Sequence, residues 1–217
     1  MFQRDYFMRM IEQMSQVVGQ VMGLRQERKQ DEALVIIDEL LDKHFRLNGK
    51  LIRSLSDADL VRMMTTSGMI ETANIHAIAL LMKEEADIFD DQERPELSYP
   101  VRLKSFHLFM RLALIDAPPM LRTPSEEAAE LSRKLSIYEL PPETKLLMFE
   151  WHEGDGRYDQ AENMLYELLE DGVLPAEEAT EFYRRLLLLP DESLAAGGLS
   201  REEVLLGQKQ VPIEKSV

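Results

Sequence analysis

Four histidines, His44, His76, His107 and His152, are the side chains best suited to acid–base or metal chemistry, since imidazole changes charge near neutral pH and is a common metal ligand. Their surroundings limit what they can do. No Glu-x-x-His pair occurs, the spacing that turns a carboxylate and an imidazole to one helix face around a di-iron centre. His-Glu-x-x-His is absent as well. The nearest approach, WHEGDGRYD, offers His152, Glu153 and Asp155, but Gly154 and Gly156 interrupt the helix on which a zinc hydrolase builds its site. Two uses of His152 stay open, a weak metal site and an exposed helix C-terminus where the imidazolium sits well on the helix dipole, and the second is preferred. His107, beside Phe106 and Met110, and His44, one turn after Leu40, read as hydrogen-bonded residues at a core or its boundary.

No nucleophile supplies what the histidines lack. The chain has no cysteine, which removes thiolate nucleophiles, disulfides and zinc–thiolate centres together. No serine stands in a Gly-x-Ser-x-Gly elbow, and no glycine-rich loop could cradle a phosphate. The acidic segment KEEADIFDDQE, residues 83–93, lacks the central glycine and alternating ligands of a calcium loop. It is expected to be a solvated helix face running into a connection. Catalytic, cofactor-binding and metal-binding residues are therefore assigned to none of these positions.

Charge narrows the partners. The net charge is −15, yet residues 1–30 carry five basic side chains against three acidic ones, leaving −17 for the rest. Such a surface repels a phosphate backbone, so nucleic acid is set aside. Membranes are set aside too: blocks such as RLLLLP are far shorter than a span, and the first helix lacks the Lys/Arg-rich polar face of an interfacial helix. The opening MFQRDYFMRMIEQ has charges among its apolar residues instead of a signal-peptide core, which makes a cytoplasmic location the default expectation.

Apolar residues recur at spacings of three and four almost everywhere, the mark of helices with one face on a core. Phe7, Met10, Met14, Val17 and Val21 form one stripe, and Ala33, Ile36, Ile37, Leu40 and Leu41 another. Ser56 is placed to cap a short helix from Asp57; Thr123, Pro124 and Glu126 read as N-cap, first helical residue and capping-box partner. The first helix is expected to pack within the fold or, failing that, to form a homodimer. With 13 methionines, core packing is preferred over a recognition surface for most, although Met63 and Met64 cannot face the same way. No window alternates with period two over a strand's length. The chain thus reads as all-α, with roughly nine or ten helices.

One pattern repeats. LPPETKLLMFEW begins at Leu140 and LPAEEATEFYRR at Leu174, 34 residues later. Between them Gly156, Tyr158, Ala161, Leu165 and Leu168 fall where a tetratricopeptide repeat has its turn glycine, aromatic, small residue and apolar packing positions, so this part resembles the tetratricopeptide family. The resemblance implies stacked antiparallel helical hairpins in an irregular array. A second echo lays KQDEALVIIDELLD on RYDQAENMLYELLE, with Asp31, Ala33, Glu39, Leu40 and Leu41 matching identically. The opening RDYFMRMIEQ, followed by this hairpin, also resembles a family of uncharacterised bacterial proteins, which implies no activity.

The expected organisation is N-terminal hairpins over 1–90, an acidic proline-containing connection over 91–100, tetratricopeptide-like repeats over 101–210 and a mobile tail over 211–217, the whole forming one continuous domain. The expected function is that of a non-enzymatic scaffold or adaptor presenting a groove to a protein or peptide. Trp151, Tyr158, Tyr183 and Arg184 are the candidate contact residues, being of types favoured at interface hot spots, with inter-helix packing preferred for Tyr158. The alternatives are a helical enzyme or metal-binding protein with a His/carboxylate site, and a structural homo-oligomer.

Overall fold

The computed structural model describes residues 2–45 and 47–211, with side chains from Asp5 onward. The chain divides into two compact units, Met1–Tyr138 and Glu139–Val217.

The first unit starts with α1 (Phe2–Gln26) and α2 (Gln30–Lys43), which turn on Arg28 at a positive φ of 60°. The predicted stripes face inward: Met10, Met14, Val17 and Val21 of α1 are buried, as are Ala33, Ile37 and Leu41 of α2. Two short helices follow, α3 (Gly49–Ser54) and α4 (Asp57–Met63). The Ser56 side chain accepts from the Asp59 amide at 3.0 Å, as the spacing predicts. At the end of α4, Met64 is buried and Met63 exposed. A small antiparallel hairpin, β1 (Thr65–Thr66) and β2 (Met69–Ile70), then turns through Ser67 and Gly68, both at positive φ. Strands of two residues are too short to show alternation, which is why periodicity missed them.

Helix α5 (Thr72–Asp91) runs through the middle of this unit, packed on α1, on α2 and most extensively on α6 (Pro95–Leu114). Ser105 of α6 donates to the Ala79 carbonyl at 2.8 Å, a small side chain that lets the two helices approach. The predicted connection over 91–100 is corrected here. Only Gln92, Glu93 and Arg94 join the helices, and α6 begins at Pro95 and carries Pro100 inside it. Pro95 costs little as the first helical residue, where its missing amide would have no intrahelical partner, whereas Pro100, in the second turn, forgoes the bond to the Glu96 carbonyl. Helix α7 (Pro124–Leu135) completes the unit on α6, with the full capping box of Thr123 and Glu126. The chain divides after Tyr138, beyond α7, and not at the acidic stretch.

The second unit holds α8 (Pro142–Gly154), α9 (Tyr158–Glu170), α10 (Ala176–Leu187), α11 (Asp191–Ala196) and α12 (Arg201–Gln210). Its core joins Phe149, Ala161, Leu165, Leu168, Phe182, Tyr183, Leu186, Leu194 and Val204. The described residues thus form twelve helices where nine or ten are expected. The additional ones are short, and a helix of six residues offers too few turns for a stripe. The described part of the predicted tail, Val211, is buried on this core; residues 212–217 lie outside the described residues.

Glycine decides one close approach. A Cβ on Gly197 would lie 2.5 Å from the Gly156 carbonyl oxygen and inside the contact distance of the Tyr158 ring. Backbone cannot give way as a flexible side chain can. Gly197→Ala is expected to destabilise the protein by about 2 kcal/mol, the scale of overpacking in a filled core. Gly19→Ala, in an open stretch of α1 with nothing near its Cβ, is expected to stabilise by up to about 1 kcal/mol through helix propensity. Urea midpoints of the two variants, compared with the parent, check both signs.

Candidate functional site

The acidic segment of α5 is where the structure departs furthest from expectation. Lys83, Glu84 and Glu85 are buried rather than solvated. Cations from four other helices converge on this one. Arg25 of α1 reaches Asp91 at 2.7 Å, Arg53 of α3 reaches Glu85 at 3.0 Å, Arg102 of α6 reaches Asp87 at 2.7 Å, and Lys134 of α7 reaches Asp87 at 2.7 Å. Lys83 answers in the opposite sense, 2.6 Å from Glu127 and 3.0 Å from Glu130 of α7. Burial pushes the Glu84 and Glu85 carboxyls up, while Lys83, despite burial, is held above its ordinary value by Glu127 and Glu130. Every charge of α5 is paired with a side chain of another helix, so this segment ties the helices of the unit together.

The histidines do not converge. His44 is exposed, 3.0 Å from Gln13. His107 lies 3.3 Å from Asp57, whose carboxyl burial would raise but hydrogen bonds from His107 and Arg111 hold well below the usual range. His76 is buried with its ring edge to Phe109, and neither nitrogen completes a hydrogen bond. Burial lowers its pKa to about 4, opposed in part by an approach to the Pro118 backbone that falls short of hydrogen-bond geometry. His152 corrects the sequence expectation: it is buried, stacked on Trp151, and lowered to about 4 by burial and by Arg157, with Asp155 and Asp159 opposing. It therefore carries no charge to place on the α8 dipole at neutral pH. Among the described residues no group of three His, Asp or Glu side chains could hold a metal ion.

Three of the four candidate contact residues are occupied inside the second unit. Trp151 is 1% exposed and has the Arg157 guanidinium 3.9 Å over its ring. Tyr183 is fully buried, donating to Glu162 at 2.8 Å and packing where a Cβ on Gly207 would sit. Tyr158 is half-buried against Gly197, in keeping with the preference for packing. The correction has a simple cause: large aromatics at the core-facing positions of a small helical unit are taken up by its own interior. Only Arg184 is exposed, paired with Glu181 on its own helix.

Beside these residues lies an arrangement that the sequence reading passed over. Leu146, Phe149, Glu150 and Glu153 fall at i, i+3, i+4 and i+7 of α8, one helix face running from apolar to acidic. With Leu174 and Pro175 from the connection into α10, and Glu178 and Arg185 two turns apart on one face of α10, they line an open groove of about 300 Å³. Phe149 is anchored by a tilted stack on Phe182, ring centroids 5.3 Å apart. Arg185 grips Glu153 through both carboxylate oxygens at 2.7 and 2.8 Å and touches Glu178 at 3.3 Å. Glu150 is exposed and has no ion-pair partner among the described residues. The stripe of three and four was legible; that its acidic end faces a groove was not.

The first unit has its own concavities. One of about 210 Å³ is lined by Val61, Ile70, Ile75, Leu112, Leu114 and Ile115 with Arg111 at its edge. Another, wider and more polar, lies around Met22, Arg25, Arg28 and Asp91.

Fold and site together define an all-α protein of packed helices in which buried charges of α5 tie four other helices together. It belongs to the Family of unknown function (DUF6483), whose model matches residues 1–214. No curated protein and no solved structure matches the chain. Among the described residues no helix is long and apolar enough to cross a membrane.

Proposed function

We propose that the chain is a non-enzymatic helical scaffold or adaptor that binds a protein or peptide partner through the groove between α8 and α10, its hairpins stacked in a tetratricopeptide-like manner. The observation that carries this reading is the groove itself, where partly exposed Leu146 and Leu174 lie over the buried edge of Phe149 beside an exposed glutamate with no ion pair among the described residues. Helical hairpins commonly bind through such depressions, where a few apolar anchors enter and polar groups fix their orientation. The net charge of −15 argues against a nucleic-acid partner.

The test is affinity capture by the whole chain from a lysate of its source, followed by reconstitution of each enriched protein with the purified chain. The variant for comparison carries Glu150→Lys and Leu174→Ser and is first checked for an unchanged helical circular dichroism signal. The expected result is a partner that binds the purified parent directly and binds the variant at least about tenfold more weakly, roughly the loss of one anchor and one charge contact. A purified partner that binds parent and variant alike, or no protein that binds the parent directly, would remove this groove as the binding site.

A further inference from the structure

We infer that the groove between α8 and α10 takes a short basic segment of a partner, one or two apolar side chains flanked by lysine or arginine; this rests on the proposed function and specifies its ligand. The charge is distributed unevenly between the two units. Residues 139–217 carry 18 acidic and seven basic side chains, a net of −11, whereas residues 1–138 carry only the remaining −4. The acids of α5 are matched by cations from neighbouring helices. In the second unit seven cations stand against 18 acids, so pairing cannot cancel the charge.

Within the groove the imbalance is local as well. Three carboxylates, Glu150, Glu153 and Glu178, stand around the apolar side chains, and the only cation lining the groove is Arg185. That guanidinium is already committed to Glu153 and Glu178. One arginine cannot neutralise three carboxylates, so the lining keeps an excess of negative charge next to Leu146, Phe149 and Leu174. An acidic segment would meet repulsion there, and a purely apolar one would leave Glu150 facing it unpaired. A lysine or arginine beside an apolar anchor matches both parts: its aliphatic stem extends the apolar contact while its head reaches the rim. The volume of about 300 Å³ suits one or two side chains and not a folded domain.

The test uses the whole chain and three labelled peptides of identical apolar residues whose flanking positions are all lysine, all serine or all glutamate, followed by fluorescence anisotropy. The lysine peptide is expected to bind most tightly, to weaken as salt is raised, and to lose about tenfold in affinity with Glu150→Lys and a smaller factor with Glu150→Gln. Glu150 makes no ion pair among the described residues, so these changes are expected to leave the fold intact; Glu143→Lys, on the same helix but outside the groove, is expected to change nothing. Serine and glutamate peptides that bind as well as the lysine peptide, yet respond to Leu174→Ser, would overturn the basic preference and leave the scaffold reading standing. A lysine peptide indifferent to both Glu150 and Leu174 variants adheres elsewhere and overturns the inference. Absence of binding by all three also overturns it, while the capture experiment separately decides whether the groove has any partner.

Discussion

Between pH 6.5 and pH 4 the one histidine that the fold keeps neutral in each unit is expected to remove about 3 kcal/mol of stability, opposed over part of that range by Glu84 and Glu85 in the first unit and Glu162 in the second, whose carboxyls burial pushes up. His76 in the first unit and His152 in the second are both lowered from 6.5 to about 4. Over that interval the unfolded chain takes up a proton that the folded chain refuses, and a difference of two to three pKa units corresponds to about 3 kcal/mol. The loss begins as pH falls below the unfolded value and is complete below the folded one. Asp57 is displaced in the opposite sense: its carboxyl lies below the ordinary value, so its stabilising contribution is present above the unfolded pKa of 3.8 and is lost only in stronger acid. The histidine window is therefore separable from acid unfolding driven by Asp57. His152→Phe is expected to flatten the dependence seen by tryptophan fluorescence, since Trp151 is the only tryptophan and lies against that ring. His76→Phe is expected to leave the fluorescence midpoint in place and shift the circular dichroism transition. Urea midpoints of both variants that fall between pH 6.5 and 4 as steeply as the parent's would show that these imidazoles reach solvent.

Lys83→Met is the second change expected to be costly, at about 3 kcal/mol. Lys83 and Glu127 are both buried, with a separation of 2.6 Å. Removing the ammonium leaves Glu127 in a low-dielectric interior with only Arg122, 3.9 Å away, to compensate it. Stranding one charge of a buried pair is far more damaging than replacing both. The double variant Lys83→Met with Glu127→Leu is expected to recover to within about 1 kcal/mol of the parent, because Glu130 keeps its contact with Arg122 and no orphaned charge remains. Urea unfolding followed by far-ultraviolet circular dichroism suits this test, as the tryptophan lies in the other unit. A single variant as stable as the parent would mean that water reaches α5 after all. The same logic makes Arg102 and Arg53 sensitive positions, each holding a different helix to α5.

Much of the helical layout was legible because local rules dominate it. The stripe of Met10, Met14, Val17 and Val21 predicts its own burial, since residues three and four apart share a face wherever the helix packs. The caps at Ser56 and Thr123 are equally local: a side chain and an amide three residues on need no other element to find one another. Ala33 and Ala161, each on the apolar stripe of its helix, are both fully buried.

What the sequence could not decide were questions of how many neighbours an element would have. KEEADIFDDQE has the composition of a solvated face, and it is buried only because α1, α3, α6 and α7 each bring a cation to it from positions distant in the chain. His152 belongs to a motif that reads as an exposed helix end, yet the ring of Trp151 and the burial around it hold it neutral. Trp151 and Tyr183 have the chemistry of contact residues and are consumed by their own core, while the plain stripe of Leu146, Phe149, Glu150 and Glu153 is left to line the groove. By itself the sequence determined which residues form helices and which face of each is apolar, since both follow from spacing along one chain. Only the tertiary structure decided which charges are paired and which faces stay open, since desolvation and pairing depend on what other segments bring to the same place.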